Sequence, residues 1–153
     1  MRLYLVRHGD AVSDSADPER PLSDAGIKEV QKSADFLKRV GSKPSGILCS
    51  TKLRAKQTAE IISKTLGGNT GVKEVDFLSP SSNPLPFLEL LEREKQDILI
   101  AGHLPYLNIM AGILLIGSMD IVINIKFYSG GIACLERTED QWKLMFLVNP
   151  GLV

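Results

Sequence analysis

Histidine is almost missing from this chain, with two residues, His8 and His103, among 153. Cysteine is as sparse. Cys49 and Cys134 lack the close spacing of a metal knuckle, so both read as reduced core thiols of a cytosolic protein. Charge of one sign is missing too, because 18 Lys and Arg balance 18 Asp and Glu. Nothing global therefore calls for nucleic acid or an anionic membrane as partner, and any anion site has to be built locally. No apolar run is long enough for a membrane helix. The greasiest stretch, Ile98 to Ile125, is broken by Gly102, His103, Pro105, Asn108 and Asp120. Its best piece, Ile109 to Ile116, falls far short of the ~20 residues a membrane span needs. The opening run Leu3–Val6 is likewise too short for a signal-peptide core, so a soluble, cytoplasmic protein is expected.

What is present alternates. Strand-like runs at Leu3–Val6, Gly46–Cys49, Val72–Val75 and Asp97–Ala101 are separated by helix-like stretches, which predicts a three-layer α/β/α sandwich with a mostly parallel sheet. Ser23 reads as the N-cap of a helix that Gly41 ends, and Ser50 as the cap of a second helix stopped by Gly67-Gly68. Helices are expected from Phe87 to Glu94 and from Leu104 to Ile116, with Pro105 in the first turn of the latter. Strands are expected at Ile121–Phe127, Gly131–Glu136 and Trp142–Val148. No linker, repeat or low-complexity segment interrupts residues 1–153, so one domain is expected, and nothing in the pattern demands more than a monomer.

Both histidines stand beside a glycine just beyond a buried strand, in Arg7-His8-Gly9 and in Gly102-His103. In open α/β sheets that carboxyl edge is where ligands bind. Arg54 follows the second strand and would open on the same edge. A pocket holding Arg7, His8, Arg54 and His103 suits a phosphoryl dianion, because guanidinium forks match its oxygens better than Lys52 or Lys56 could. A neutral imidazole there can also attack phosphorus, and adjacent Arg7 disfavours protonation of His8. Its other ring nitrogen then needs an acceptor to set the tautomer. Competing readings are weaker. A two-histidine metal site would want a carboxylate in register, and the arginines would repel the ion. Gly67-Gly68-Asn69-Thr70-Gly71 has the composition of a phosphate loop without its lysine. Asp10, Asp14, Asp17 and Glu19 could replace a missing acid or simply be solvated. Arg20 could meet a partner or form a salt bridge in its own loop.

Taken together, Leu5-Val6-Arg7-His8-Gly9, Pro21-Leu22-Ser23 with Gly26, Leu53-Arg54-Ala55 with Gln57-Thr58-Ala59, and Gly102-His103 resemble the histidine phosphatase superfamily. That superfamily includes the phosphoglycerate mutases. The resemblance implies a phosphoglycerate mutase-like fold and phosphorylation of His8. It also implies a phosphoryl group held by Arg7, Gly9, Arg54 and His103, with no metal and no cofactor. Arg20-Pro21-Leu22-Ser23, His103-Leu104-Pro105 and the short length are similar to the SixA type, the small phosphohistidine phosphatases. Larger relatives carry an acidic general acid after the second helix, whereas here Asp76 is followed by no carboxylate until Glu89. Expelling an alkoxide needs a proton donor; a phosphorylated imidazole is less demanding. The expected substrate is thus the phosphohistidine of a signalling or phosphorelay protein such as a histidine phosphotransfer domain. A small-molecule phosphomonoesterase is the enzyme alternative, and a non-catalytic phosphoryl-binding module the other.

Overall fold

A computed structural model of the chain describes residues 1–118, 123–139 and 141–153. Ten regular elements follow in the order β1 (Arg2–Arg7), α1 (Asp24–Arg39), β2 (Gly46–Ser50), α2 (Leu53–Thr65), β3 (Val72–Val75), α3 (Leu85–Arg93), β4 (Ile98–Gly102), α4 (Tyr106–Ile116), β5 (Ile132–Thr138) and β6 (Gln141–Val148), with a 3-10 turn at Asp76–Leu78. The strands form one sheet in the order β3-β2-β4-β1-β5-β6. β1, β2, β3 and β4 pair in parallel, while β5 runs antiparallel to β1 and β6 antiparallel to β5. Among the described residues no helix is long and apolar enough to cross a membrane.

Period-2 alternation sorts the strand residues between two cores, because successive side chains leave a strand on opposite faces. Tyr4 and Val6 of β1, with Leu99 and Ala101 of β4, pack against Val30, Ala34 and Leu37 of α1 and Ala59 and Ile62 of α2. Leu3, Leu5, Ile98 and Ile100 face the other way, toward Phe87 and Leu91 of α3 and Leu107, Met110 and Ala111 of α4. β1 and β4 are thus apolar at every interior position because both of their faces are covered. The result is the α/β/α sandwich expected.

Local signals set several boundaries. Ser23 caps α1, its hydroxyl accepting from the Gly26 amide at 3.0 Å. Gly41 follows the end of α1 at φ +71°, and Gly67 and Gly68 follow α2 at positive φ. Three expectations need correction. Ser50 ends β2 rather than capping α2, whose N-cap is Lys52 and has no side-chain cap. Pro105 is itself the N-cap of α4, so the helix starts at Tyr106. The strand expected over Ile121–Phe127 falls partly outside the described residues, and its described part, 123–127, is not a strand. Phe127 turns its ring into the second core instead.

Candidate active site

The register of β1 against β4 builds the site. Arg7 stands opposite Gly102, so His8 and His103, each one residue further, leave neighbouring strands side by side. The His8 amide donates to the Gly102 carbonyl at 3.0 Å and extends that pairing past the strand ends. The two imidazole centroids lie 4.9 Å apart, with planes inclined at 59°. β2 pairs with the other edge of β4, and its carboxyl end leads through Thr51 and Lys52 into the first turn of α2. Arg54 in that turn reaches back across 46 residues of chain to His8.

His8 is held at both ring nitrogens. Nδ1 lies 2.7 Å from the carbonyl oxygen of Gly9. A carbonyl can only accept, so Nδ1 carries the proton and Nε2 is left with its lone pair. Nε2 in turn accepts from Nε of Arg54 at 3.2 Å. The tautomer-setting acceptor left open by the sequence is thus the carbonyl of the next residue. The protonation state agrees, since the His8 pKa is lowered to about 4. Burial is the main cause; the Gly9 bond opposes it, and the charges of Arg54, Arg7 and Arg20 add to the lowering. Arg7 pushes in the direction expected, but it ranks behind burial and Arg54.

His103 is different. Only 2% of its surface is exposed, and neither ring nitrogen has a hydrogen-bond partner among the described residues. Burial first, then the neighbouring charges of His8, Arg54 and Lys52, lower its pKa to about 3. A neutral imidazole carries one N–H, so His103 has a donor free for a group lying against His8.

Arg7 and Arg54 bring fixed positive charge. Arg7 donates from one terminal nitrogen to the Phe127 carbonyl at 2.8 Å, which anchors its guanidinium, and its charge is felt at His8. Arg54 lines a cavity of about 390 Å³ together with Arg20, Lys52, Asp14 and Glu19. The Arg54 pKa is lowered by burial and by the charge of Arg20. Arg20 was the residue least legible beforehand. It sits at φ +50°, an uncommon conformation for a side-chain-bearing residue, and its Nε donates to the Val12 carbonyl at 3.2 Å. The salt bridge envisaged for it does not form among the described residues, where the ion pairs are Arg2–Glu136 and Lys56–Glu74. Its positive φ leaves no mark in a residue list, because arginine is not a residue type chosen for that region.

Gly9 has another part than binding phosphate through its own amide. That N–H donates to Oγ1 of Thr58 at 3.2 Å, and Thr58 itself donates to the Arg54 carbonyl at 2.7 Å. A Cβ on Gly9 would lie 2.7 Å from the Gly26 carbonyl oxygen and equally close to a methyl of Val30, so the glycine lets α1 approach the end of β1. Gly26 makes the reciprocal approach, with a Cβ there colliding with the Asp10 carbonyl oxygen. Thr58 and Gly26 therefore help to fix the backbone on either side of His8, Thr58 through the Gly9 amide and Gly26 by its close approach to Asp10. Among the described residues no cluster of His, Cys, Asp and Glu is arranged to hold a metal ion.

This arrangement can accept a nucleophilic role for His8 Nε2 and can surround a tetrahedral anion with guanidinium and imidazole donors. Comparison with known proteins bears on that chemistry. The profile of the Histidine phosphatase superfamily (branch 1) matches residues 3–79. Over 98% of this chain and 97% of the other, the sequence is 34% identical to an uncharacterised protein of Picosynechococcus sp.. It is 32% identical to the phosphohistidine phosphatase SixA of Escherichia coli (strain K12), over 69% of this chain and 68% of that protein. Among solved structures, protein histidine phosphatase SixA complexed with tungstate superposes with a TM-score of 0.87 at 26% identity, covering 99% of both chains.

Proposed function

Because this chain belongs to the histidine phosphatase superfamily, we propose that it is a phosphatase that works through a phospho-His8 intermediate and takes phosphohistidine on a protein as its substrate. The observation that carries the chemistry is the pinned His8 ring, with its proton on Nδ1 at the Gly9 carbonyl and its lone pair on Nε2 beside Arg54. Nε2 forms a bond to phosphorus as the substrate P–N bond breaks, and the substrate imidazole leaves with its own ring proton in place. Arg7, Arg54 and the His103 N–H stabilise the equatorial oxygens, where a single donor is worth roughly 2.7–4 kcal/mol in comparable sites. Water then attacks phosphorus and releases phosphate. Phospho-His8, still protonated on Nδ1, departs as a neutral imidazole, so this half needs no separate acid for the leaving group.

Two observations support phosphohistidine over an alkyl ester. No carboxylate hydrogen-bonds either imidazole among the described residues, and transfer from one imidazole to another needs no strong acid. The likeness to phosphohistidine phosphatase SixA supports the same substrate class. One observation favours a small phosphomonoester instead: Asp14 and Glu19 share the cavity of Arg54 and could lend a proton. The test compares a phosphorylated histidine phosphotransfer domain with phosphoglycerates and sugar phosphates under the same conditions. Faster release from the protein is expected; faster release from the esters would overturn the substrate assignment.

A further inference from the structure

Beside the phosphoryl site lies a larger cavity that the chemistry above leaves unused. It measures about 720 Å³, far more than a phosphoryl group occupies, and Arg7, Lys28, Lys32 and Lys126 all line it. Among the described residues Glu29 is the one acid in its wall, and its carboxylate already accepts the Asp10 amide at 3.2 Å. Lys32 donates to the Pro150 carbonyl at 3.2 Å, and the Lys126 ammonium lies 5.0 Å from the centre of the Tyr128 ring. None of the four cations forms an ion pair among the described residues, where the pairs are Arg2–Glu136 and Lys56–Glu74.

Such clustering is physically unfavourable in the free protein. Lys28 and Lys32 are four apart on α1, a spacing at which like charges repel. The chain as a whole is neutral, so this concentration of charge is local rather than a by-product of composition. Arg7 joins the two places, because its strand position precedes His8 and its guanidinium is fixed on the Phe127 carbonyl inside the cavity wall. A substrate with its phosphoryl group on His8 therefore has a wall of unpaired cations alongside its body.

We infer that this cavity is a second anion subsite that receives the carboxylates of an acidic protein surface flanking the phosphohistidine. The inference rests on the phosphohistidine reading above and adds how the partner is chosen. The subsite selects by charge: it raises affinity for a partner whose histidine is bordered by Asp and Glu, and it does nothing for the bond-breaking step. Attraction of this kind is screened at high ionic strength.

Charge reversal at Lys28 and Lys126, neither of which has a part in the chemistry at His8, tests it. Lys28→Glu with Lys126→Glu, and the milder Lys28→Gln with Lys126→Gln, are assayed on an acidic phosphorylated histidine phosphotransfer domain and on free phosphohistidine. The expected result is a KM for the protein raised at least tenfold in the Glu pair and less in the Gln pair, with kcat kept and the salt dependence flattened. Hydrolysis of free phosphohistidine should change less than twofold, which also shows that the variants fold. An unchanged KM for the protein overturns the subsite, as does an equal loss on free phosphohistidine. A loss confined to a small ester bearing a second phosphate also overturns it and assigns the cavity to such ligands. A parent enzyme that cleaves free phosphohistidine but ignores the protein instead overturns the substrate reading on which the subsite depends.

Discussion

The ends of β1 and β4 carry the same residue type one step past the same kind of strand, yet the two histidines are held in opposite ways. At the end of β1 both nitrogens of His8 are engaged, one by a carbonyl and one by a guanidinium. At the end of β4 neither nitrogen of His103 has a partner among the described residues, although its ring is the more buried by exposed surface. A fully oriented ring with a directed lone pair suits attack on phosphorus. A buried ring with a free N–H suits donation to an oxygen that arrives later. Symmetry in the sequence thus conceals two different hydrogen-bonding environments, on which the proposed division of labour rests.

The largest effect that would break this comparison comes from exchanging roles. His8→Gln should leave no measurable turnover of a small chromogenic ester, whereas His103→Gln should slow it by roughly 10²–10³, the loss typical of one transition-state donor. Equal losses would mean that the rings do equivalent work. Next in size, Arg54→Lys keeps the charge but removes the Nε–H that faces His8 Nε2. About a tenfold to hundredfold loss in kcat is expected, with Arg54→Ala worse, since lysine cannot reproduce a planar fork.

Ionisation sharpens the comparison further. Both rings have pKa values lowered from 6.5, to about 4 for His8 and about 3 for His103. A histidine whose folded pKa lies below its unfolded value costs stability as pH falls through the interval between them. Stability should therefore decline from about pH 6.5 down toward the folded values, and neither ring should titrate near neutrality. Ring-proton NMR over that range checks this; a midpoint near 6.5 for either histidine would contradict the burial account. The smallest effect concerns support. Thr58→Val removes the acceptor of the buried Gly9 amide, which should cost about 1–3 kcal/mol in denaturant unfolding and lower kcat modestly by loosening His8.

The proposed quartet of Arg7, His8, Arg54 and His103 was legible because its signals are strong. Apolar runs bury on both faces, and a histidine directly after such a run has to leave the sheet at its carboxyl edge. Arg54 was legible because a cation in the first turn of a helix sits at the unfavourable end of the dipole. The Gly9 carbonyl as acceptor was not, because every residue has a carbonyl and only the turn geometry aims this one. Arg20 was hidden for a related reason: its positive φ comes from the loop around it, with its amide on the Asp17 carbonyl and Ala11 bridged to Leu22. In the described part of the strand expected over Ile121–Phe127, 123–127, the β-branched residues signalled a willingness to pair that the backbone does not follow, and Phe127 is buried in the core beside α3 and α4 instead. The cationic cavity joins α1, the end of β1 and the segment before β5, which are distant in the chain and carry no motif.

In the proposed mechanism the lone pair on His8 Nε2 receives the phosphoryl group. Rapid alkaline quenching after mixing with a phosphohistidine donor, followed by peptide mass spectrometry, reads it directly. One phosphoryl group on the peptide containing His8, absent in His8→Gln and retained longer in His103→Gln, is the predicted result. Phosphate on His103, or turnover in the parent protein with no phosphorylated histidine at any time point, would contradict it.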